Sequence, residues 1–428
     1  MDQSIKERLA LLQKGDVPQG YRKAKAGIMP IDWDDSIRAK DVFKNYTDKK
    51  HNGELEILAS TQENGIVPRS QIGIDIQCSD EGVAGYKKVS QGDFVISLRS
   101  FQGGIEYSRY EGIVSPAYTV LKPIKSISDV YYQHYFKTSR FIQRLNSAVY
   151  GIRDGKQIGY QDFGDLYIHY PPIDEQKKIA EILMQCDKLI ELKRQRIEEE
   201  KNKKKWILEE TMKPPKGILD SSNKYTGTLE DLVSKIETGT SVNSTDDVNS
   251  GIDSNHKFVL KTSAICDGVF IETECKKVVP EDYHRTSCAV EGGTLLVSRM
   301  NTPKLVGACA ICYKSLPNVY LPDRLWKVSV KATVDPRWLN YILNSAQYKN
   351  LIQERAGGTS NSMKNISQKD FLGLPISPPL YEKQVIIGGT LSSIDNLIQK
   401  LEQEVDAWMQ KKKLMMQLLL TGIVRVKL

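Results

Sequence analysis

The sequence predicts an α+β protein in which two β-rich α/β domains alternate with two long antiparallel helices that form an intramolecular coiled coil. Three observations predict this fold. A helical segment that opens with Pro-Pro and closes with a lysine run occurs twice, beginning at Pro171 and at Pro378. Each copy carries an apolar seam with heptad spacing. The region before each copy alternates short apolar runs with glycine-containing polar turns, a pattern typical of strands.

The two helical segments are an internal repeat. Aligned at an offset of about 208 residues, they pair identical side chains, among them Gln176 with Gln384, Leu183 with Leu391 and Asp187 with Asp395. Long matched phrases of this kind exceed what shared composition produces. The repeat therefore predicts a pseudo-two-fold arrangement, in which the two halves of the chain are equivalent.

The apolar seam follows alternating steps of four and three residues. Its predicted members are Ile179, Leu183, Ile190 and Ile197 in the first copy, and Ile387, Leu391, Ile394, Ile398, Leu401 and Val405 in the second. Such a narrow stripe favours pairing of the two helices, each of about 40 residues and roughly 60 Å. Two amphipathic helices that pack on separate domains are the alternative.

These patterns divide the chain into seven segments. We predict an N-terminal segment (1–27), a first β-rich domain (28–170), a first helix (171–212), a linker (213–227), a second β-rich domain (228–377), a second helix (378–420) and a C-terminal tail (421–428). The linker is rich in Pro, Gly and Ser, the residues typical of joints between domains.

Composition narrows the class of protein. The 428 residues include 60 Lys and Arg against 53 Asp and Glu, a net charge of +7, so any surface for a polyanion must come from local clusters. The seven cysteines predict reduced thiols, and the chain has no run of roughly 18 apolar residues that would span a membrane. We therefore expect a soluble, cytoplasmic protein.

Catalytic and metal-binding motifs are missing from the sequence. "GIRDGK", which begins at Gly151, is one residue too short for a nucleotide-binding P-loop, and Gln157 replaces its Ser or Thr. The pair Cys309 and Cys312 has zinc spacing, but it lies in a strand-like apolar run without further ligands. We therefore expect no catalytic residue and no metal site.

Several stretches together resemble the specificity subunits of type I restriction-modification enzymes. They are "PPIDEQKKIAEIL" and "KKKLMMQLLLTGIVRV" in the helices, "GDFVISLRSFQGGIEYSRYEGIVSPAYTVLKP" in the first domain, and "GTLLVSRMNTPKLVGA" and "GTSNSMKNIS" in the second. The resemblance extends from about Tyr86 to the end of the chain. It implies two target recognition domains that each read half of a split DNA sequence, with helices that set the gap and dock methyltransferase subunits.

The sequence departs from the family pattern in two places. The first helix lacks the Leu-rich, Thr-Gly ending of the second, so it is expected to end early or to bend at Pro214 and Pro215. The N-terminal segment has no counterpart in the second half. By analogy with the family, we expect it to pack near the other end of the chain.

Two polar loops are candidates for contact with DNA bases. In the first domain "SLRSFQGGIEYSR" supplies Arg99, Ser100, Gln102, Tyr107 and Arg109 around a Gly103-Gly104 turn. In the second, "SRMNTPKLVG" supplies Arg299, Asn301, Thr302 and Lys304. Arginine pairs with guanine and Asn or Gln with adenine in the major groove. Each loop could instead be a solvated hairpin whose arginine pairs within its own domain.

Lys156 and Lys364 occupy equivalent Gly-rich approaches to the two helices. Backbone amides and a lysine in such a loop can bind a DNA phosphate, although a role in the fold is an equal alternative.

The resemblance also implies the partners. They are double-stranded DNA, two methyltransferase subunits and, in the full complex, restriction subunits. S-adenosylmethionine, ATP and magnesium would belong to those subunits and not to this chain. A coiled-coil scaffold with two protein-binding modules is the alternative. The recognition half of a single-chain enzyme is a third reading, disfavoured by the ends of the sequence, "MDQSIKERLALLQ" and "TGIVRVKL".

Overall fold

The computed structural model describes residues 3–51, 53–72, 83–148, 158–212, 227–246, 252, 255–266, 268–360 and 363–427. The chain divides into two compact units. Unit 1 contains Met1–Lys193 and Gln403–Leu428, and unit 2 contains Arg194–Glu402. Each unit combines helices and strands, as the sequence predicts.

The α-helices of the described residues are α1 (Gln3–Gln13), α2 (Ala39–Val42), α3 (Ser100–Gly103), α4 (Asp129–Tyr135), α5 (Ser139–Ala148), α6 (Tyr160–Gly164), α7 (Ile173–Thr211), α8 (Pro336–Leu343), α9 (Ala346–Arg355), α10 (Gln368–Leu372) and α11 (Tyr381–Leu419). The two long helices, α7 and α11, have 39 residues each. The boundary between the units falls inside both of them.

The strands of unit 1 are β1 (Tyr21–Ala24), β2 (Gly27–Pro30), β3 (Phe43–Tyr46), β4 (Leu58–Thr61), β5 (Gly65–Pro68), β6 (Lys87–Val89), β7 (Phe94–Ile96), β8 (Glu106–Tyr107), β9 (Gly112–Val114) and β10 (Thr119–Pro123). Its largest sheet is antiparallel, in the order β3-β10-β7-β8. Strands β4 and β5 form a separate hairpin.

Strand β7 connects two cores in unit 1. Because side chains alternate across a strand, Phe94 and Ile96 face one core while Val95 faces the other. The first core is aromatic: the rings of Phe94 and Phe136 meet edge to face, with centroids 5.5 Å apart. It includes residues from α4, α5, α6 and α7, so the sheet and helices share one apolar interior.

The strands of unit 2 are β11 (Gly227–Thr228), β12 (Val233–Thr238), β13 (Ser244–Thr245), β14 (Phe258–Leu260), β15 (Ile265–Cys266), β16 (Val269–Phe270), β17 (Cys275–Val278), β18 (Ala289–Val290), β19 (Thr294–Ser298), β20 (Met300–Asn301), β21 (Cys309–Cys312), β22 (Leu316–Tyr320), β23 (Leu325–Val330), β24 (Gly357–Ser360), β25 (Met363–Asn365) and β26 (Pro375–Ile376). The two larger sheets have the orders β12-β23-β19-β21 and β13-β17-β14-β22-β18.

Strand β19 of unit 2 lies between two cores, as β7 does in unit 1. Leu295 and Val297 enter one core, and Leu296 between them enters a second core. This alternation is why a fully buried strand reads as a continuous apolar run in the sequence.

The predicted apolar seam of α7 and α11 is turned inward. Its buried members are Ile179, Leu183, Ile190, Ile197, Leu391, Ile394, Ile398 and Val405. Ile387 and Leu401 are partly buried.

Charged residues that interrupt the seam form ion pairs between the helices within each unit. In unit 1, Lys193 Nζ lies 2.5 Å from Glu404 Oε2, and Lys412 pairs with Asp187. In unit 2, Lys204 Nζ lies 2.6 Å from Asp395 Oδ1. In unit 1 the residue numbers of the partners rise along α7 as they fall along α11, so the helices run antiparallel there.

Gln176 and Gln384, which the repeat aligns, make the same hydrogen bonds in their respective units. Gln176 Oε1 accepts the backbone N–H of Ser128 at 3.0 Å, and its Nε2 donates to the Pro171 carbonyl at 2.8 Å. Gln384 does the same with Asp335 and Pro379, also at 3.0 and 2.8 Å. A glutamine thereby joins the start of α7 to the N-terminal cap of α4, and the start of α11 to the N-terminal cap of α8.

The N-terminal segment contacts the C-terminal tail inside unit 1, as the family analogy predicts. The Tyr21 hydroxyl donates to the Gly422 carbonyl at 2.8 Å, and Arg8 donates to the Ile423 carbonyl at 2.9 Å. The first long helix ends at Thr211, and the prolines at which a bend was predicted lie outside the described residues. No helix in the described part of the chain is long and apolar enough to cross a membrane.

Candidate nucleic-acid interface

The predicted loop of unit 1 is built on a glycine turn. Strand β7 ends at Ile96, helix α3 makes one turn, and Gly104 then reverses the chain at a φ of 82°. A Cβ atom at Gly104 would lie 2.1 Å from the Phe136 carbonyl oxygen. Glycine is therefore required both by the left-handed backbone and by the close approach of α4.

Residues of this loop differ in their availability to a ligand. Arg99, Gln102 and Arg109 are exposed. Ser100 is only 1% exposed, and its hydroxyl accepts the Ser97 backbone N–H at 2.9 Å. The prediction of a base contact by Ser100 does not fit this position, because the side chain is buried within the turn that it stabilises.

The loop residues line two different concave surfaces of unit 1. We call the first, of about 670 Å³, the hairpin cleft; it is lined by Ala59, Ser60, Thr61, Gln62, Glu63, Asn64, Arg69, Ile72, Ser97, Leu98, Arg99, Glu106 and Tyr118. The second, of about 540 Å³, contains Tyr107, Arg109 and residues of α7 such as Met184. The structure thus separates Arg99 from Tyr107 and Arg109. Tyr107 is partly buried, and its ring packs edge to face on Phe94.

A buried ion pair lies beside the hairpin cleft. Glu106, which lines it, is 2% exposed and pairs through Oε1 with Lys137. Burial raises the pKa of the Glu106 carboxyl to about 7, against the opposing charge of Lys137. Its other oxygen, Oε2, is buried and has no hydrogen-bond partner among the described residues.

The candidate residues of unit 2 lie on adjoining strands and turns. Asn301 on β20 is paired in register with Lys364 on β25, although 63 positions separate them in the chain. Arg299 joins the same strand edge, since its carbonyl accepts the Ile366 N–H at 2.9 Å. Thr302 and Lys304 are exposed in the turn that follows.

The polar groups of this second set already have partners on their own loops. Asn301 Nδ2 donates to Ser298 Oγ at 3.1 Å, and Lys364 Nζ donates to the Gly358 carbonyl at 3.0 Å. These bonds hold the side chains in place at the surface. Lys156, the predicted counterpart of Lys364, lies outside the described residues.

Sequence reasoning missed the β4–β5 hairpin, which forms one wall of the hairpin cleft. Its turn carries Gln62, Glu63 and Asn64, and Arg69 follows β5. The sequence does contain a signal for this hairpin, since Asn64-Gly65 between two apolar runs is typical of a tight hairpin turn. Gly65 has a φ of 73°, as such a turn requires.

The two cysteines with zinc spacing belong to the two cores of unit 2, Cys309 to one and Cys312 to the other. Cys309 and Cys312 lie on β21 and are both buried. Burial raises the pKa of the Cys309 thiol to about 12. In the part of the chain that the structure describes, no group of three or more His, Cys, Asp or Glu residues could hold a metal ion.

Comparison with known proteins shows which proteins the chain resembles. The family described as "Type I restriction modification DNA specificity domain" matches residues 30–201. The type I restriction enzyme MjaVIII specificity subunit of Methanocaldococcus jannaschii is 25% identical over 351 residues, which cover 79% of this chain and 80% of that protein.

Two solved structures have a similar fold. One is a chain from work on complex assembly and conformational transition of the type I R-M system, with a TM-score of 0.52, 14% identity, and coverage of 96% of this chain and 100% of that one. The other is a type I restriction-modification S subunit of M. genitalium, with a TM-score of 0.50, 12% identity, and coverage of 92% and 96%. The chain is thus similar to type I restriction-modification specificity subunits, and its residues 30–201 match their DNA specificity domain.

Proposed function

We propose that this chain reads a bipartite DNA target, with one half-site recognised by each β-rich domain. The observation that carries the proposal is that each unit has a loop of basic and amide side chains directly after a fully buried central strand, β7 or β19. Such side chains read base edges in the major groove and also contact phosphates.

In this proposal, exposed and partly buried side chains of the two loops contact the bases. Arg99 and Gln102 serve the first half-site, while Arg299, Asn301 and Thr302 serve the second. Lys304 and Lys364 contact phosphates, as does Lys156. Phosphate contacts set the register of the protein on DNA, and base contacts set the sequence.

The long helices pair as an antiparallel coiled coil that fixes the gap between the half-sites and docks two methyltransferase subunits. The inward seam and the ion pairs of each unit support the pairing. The matching bonds of Gln176 and Gln384 support an equivalence of the two halves. Equivalent halves present equivalent surfaces to two copies of one partner.

In the proposed complex, the partner subunits catalyse DNA methylation and cleavage. The chain itself is non-catalytic and acts in the cytoplasm. The methyltransferase subunits use S-adenosylmethionine, and restriction subunits that join the full complex use ATP and magnesium.

The response of DNA binding to salt tests this proposal against a protein-binding scaffold. Lys and Arg contacts to phosphates release counterions, so the affinity of the chain and its methyltransferase for duplex DNA should fall steeply with salt, by about tenfold or more between 50 and 200 mM. The same complex carrying Lys304→Gln and Lys364→Gln should show a smaller slope. Affinity that is absent, or insensitive to salt, favours the scaffold.

Exchange of loop segments tests the assignment of one half-site to each unit. Residues 86–123 and 292–331 would be replaced separately by those of a related subunit with a different target. Each exchange should alter the bases methylated in one half-site and leave the other half-site unchanged. Simultaneous change of both would contradict the assignment.

A further inference from the structure

The hairpin cleft of unit 1 brings together side chains that the sequence separates. One wall is the β4–β5 hairpin turn with Gln62, Glu63 and Asn64; the opposite wall is the Ser97–Arg99 turn. We propose that this cleft recognises a G·C base pair of the half-site read by unit 1, with Arg69 and Glu63 as specificity-determining residues beside Arg99. The inference rests on the proposed function and adds the kind of base pair and the residues that select it.

The hairpin has the shape that a groove reader needs. Strands β4 and β5 pair antiparallel in register from Leu58 with Pro68 to Thr61 with Gly65. The Thr61 hydroxyl donates to the Gly65 carbonyl at 3.0 Å, which closes the turn, and three consecutive exposed side chains project from its tip. The major groove of B-DNA admits a two-stranded ribbon of this width.

Two guanidinium groups converge in the cleft. Arg69 and Arg99 both lower the pKa of the half-buried Tyr118 phenol, which burial raises, so both charges lie near one hydroxyl. Arg69 also lies over the Tyr86 ring, 6.0 Å from its centroid, which restrains its side chain. The Arg99 side chain is exposed. A guanidinium donates two parallel hydrogen bonds to guanine O6 and N7, the commonest specific contact to a base.

A carboxylate supplies the complementary acceptor. Glu63 lines the cleft and is exposed. Glu106 also lines the cleft, but it is 2% exposed and paired with Lys137. A G·C pair displays two acceptors on guanine and one amino donor on cytosine in the major groove. Two arginines with a carboxylate match that pattern, whereas an A·T pair offers the thymine O4 acceptor in place of the cytosine amino donor.

The test is base-resolution methylation mapping of a randomised DNA library by the complete chain with its methyltransferase. Variants Arg69→Gln and Glu63→Gln are compared with Lys44→Gln, which removes an exposed charge from β3 at the far edge of the sheet. We expect both cleft variants to relax discrimination at one G·C position of one half-site by about tenfold. The other half-site and the Lys44 variant should keep the original motif.

Each outcome separates the inference from the proposed function. A split motif that both cleft variants leave unchanged overturns the inference while the proposed function stands. Loss of methylation at all sites, with thermal melting unchanged, also overturns it, since that result indicates a phosphate contact. A relaxed position that is an A·T pair overturns the choice of base pair. Absence of any split motif with the unaltered chain contradicts the proposed function itself.

Discussion

Replacing Arg425 with methionine should destabilise unit 1 strongly. The Arg425 guanidinium donates from Nε to Glu175 Oε1 at 2.6 Å and from Nη1 to Asp32 Oδ1 at 2.8 Å. Glu175 is 1% exposed and also accepts the Trp33 indole N–H at 2.9 Å. Methionine retains the packing of the side-chain stem over Trp33, so the variant removes mainly the charge.

The ion pairs of Arg425 with Glu175 and with Asp32 should contribute very different amounts to the free energy of unfolding. Without Arg425, Glu175 becomes an unpaired buried charge, which costs about 3–5 kcal/mol. The Asp32 side chain is 58% exposed, so Asp32→Asn, which removes only the outer pair, should cost about 1 kcal/mol or less. Glu175→Gln in the Arg425→Met background should recover part of the loss, because a neutral amide can still accept the indole N–H.

Urea denaturation followed by hydrogen exchange measures these effects separately in each unit. Peptides from residues 21–33 and 173–190 report the free energy of unfolding of unit 1, and peptides from 294–330 provide the control in unit 2. A loss below about 1 kcal/mol for Arg425→Met, or strictly additive effects of Arg425→Met and Glu175→Gln, would refute the buried-pair reasoning.

Three further predictions concern single positions. Gly104→Ala should destabilise unit 1 by about 3 kcal/mol or more, because the new Cβ atom adds a clash to the strain of a positive φ. Gly293→Ala is the control: its φ is 81°, but no atom lies within 4 Å of the new Cβ position, so thermal melting should show a far smaller loss of stability. His169 is fully buried, which lowers its pKa to about 4, so the unfolded chain binds the proton first as the pH falls. The contribution of His169 to the stability of unit 1 should therefore fall by about 2 kcal/mol between pH 7 and pH 5, and urea titrations of His169→Gln beside the unaltered chain should show that part of the slope removed. Gln176→Leu and Gln384→Leu should each weaken only their own unit, by about 1–3 kcal/mol in exchange measurements, because the first leaves a partly buried N–H and the second a buried N–H without its acceptor. Equal loss in both units would contradict the assignment.

The long helices could be predicted because their signal is local and repeated. Heptad steps and the Pro-Pro start predicted helices that the structure places at Ile173–Thr211 and Tyr381–Leu419. The polar interruptions at Lys193 and Lys204 were harder to interpret. Their partners, Glu404 and Asp395, lie on the other helix. Ion pairs between residues so far apart in the chain produce no periodic pattern in the sequence.

The candidate interface was predicted less completely. Arg99 and Asn301 could be identified as candidate DNA-binding residues from their residue types, because both occur in polar turns after apolar strands. Residue type did not show that Ser100 is buried or that Arg99 and Arg109 line different surfaces, since both depend on how the turn packs on α4. Pairing of Asn301 with Lys364 likewise depends on sheet register between distant segments.

The most direct test of the proposed function is to express the unaltered chain with a type I methyltransferase subunit and to map the methylated bases in random-sequence DNA. We predict one split motif, with two short half-sites at a fixed gap. A continuous motif, or methylation without sequence preference, would contradict it.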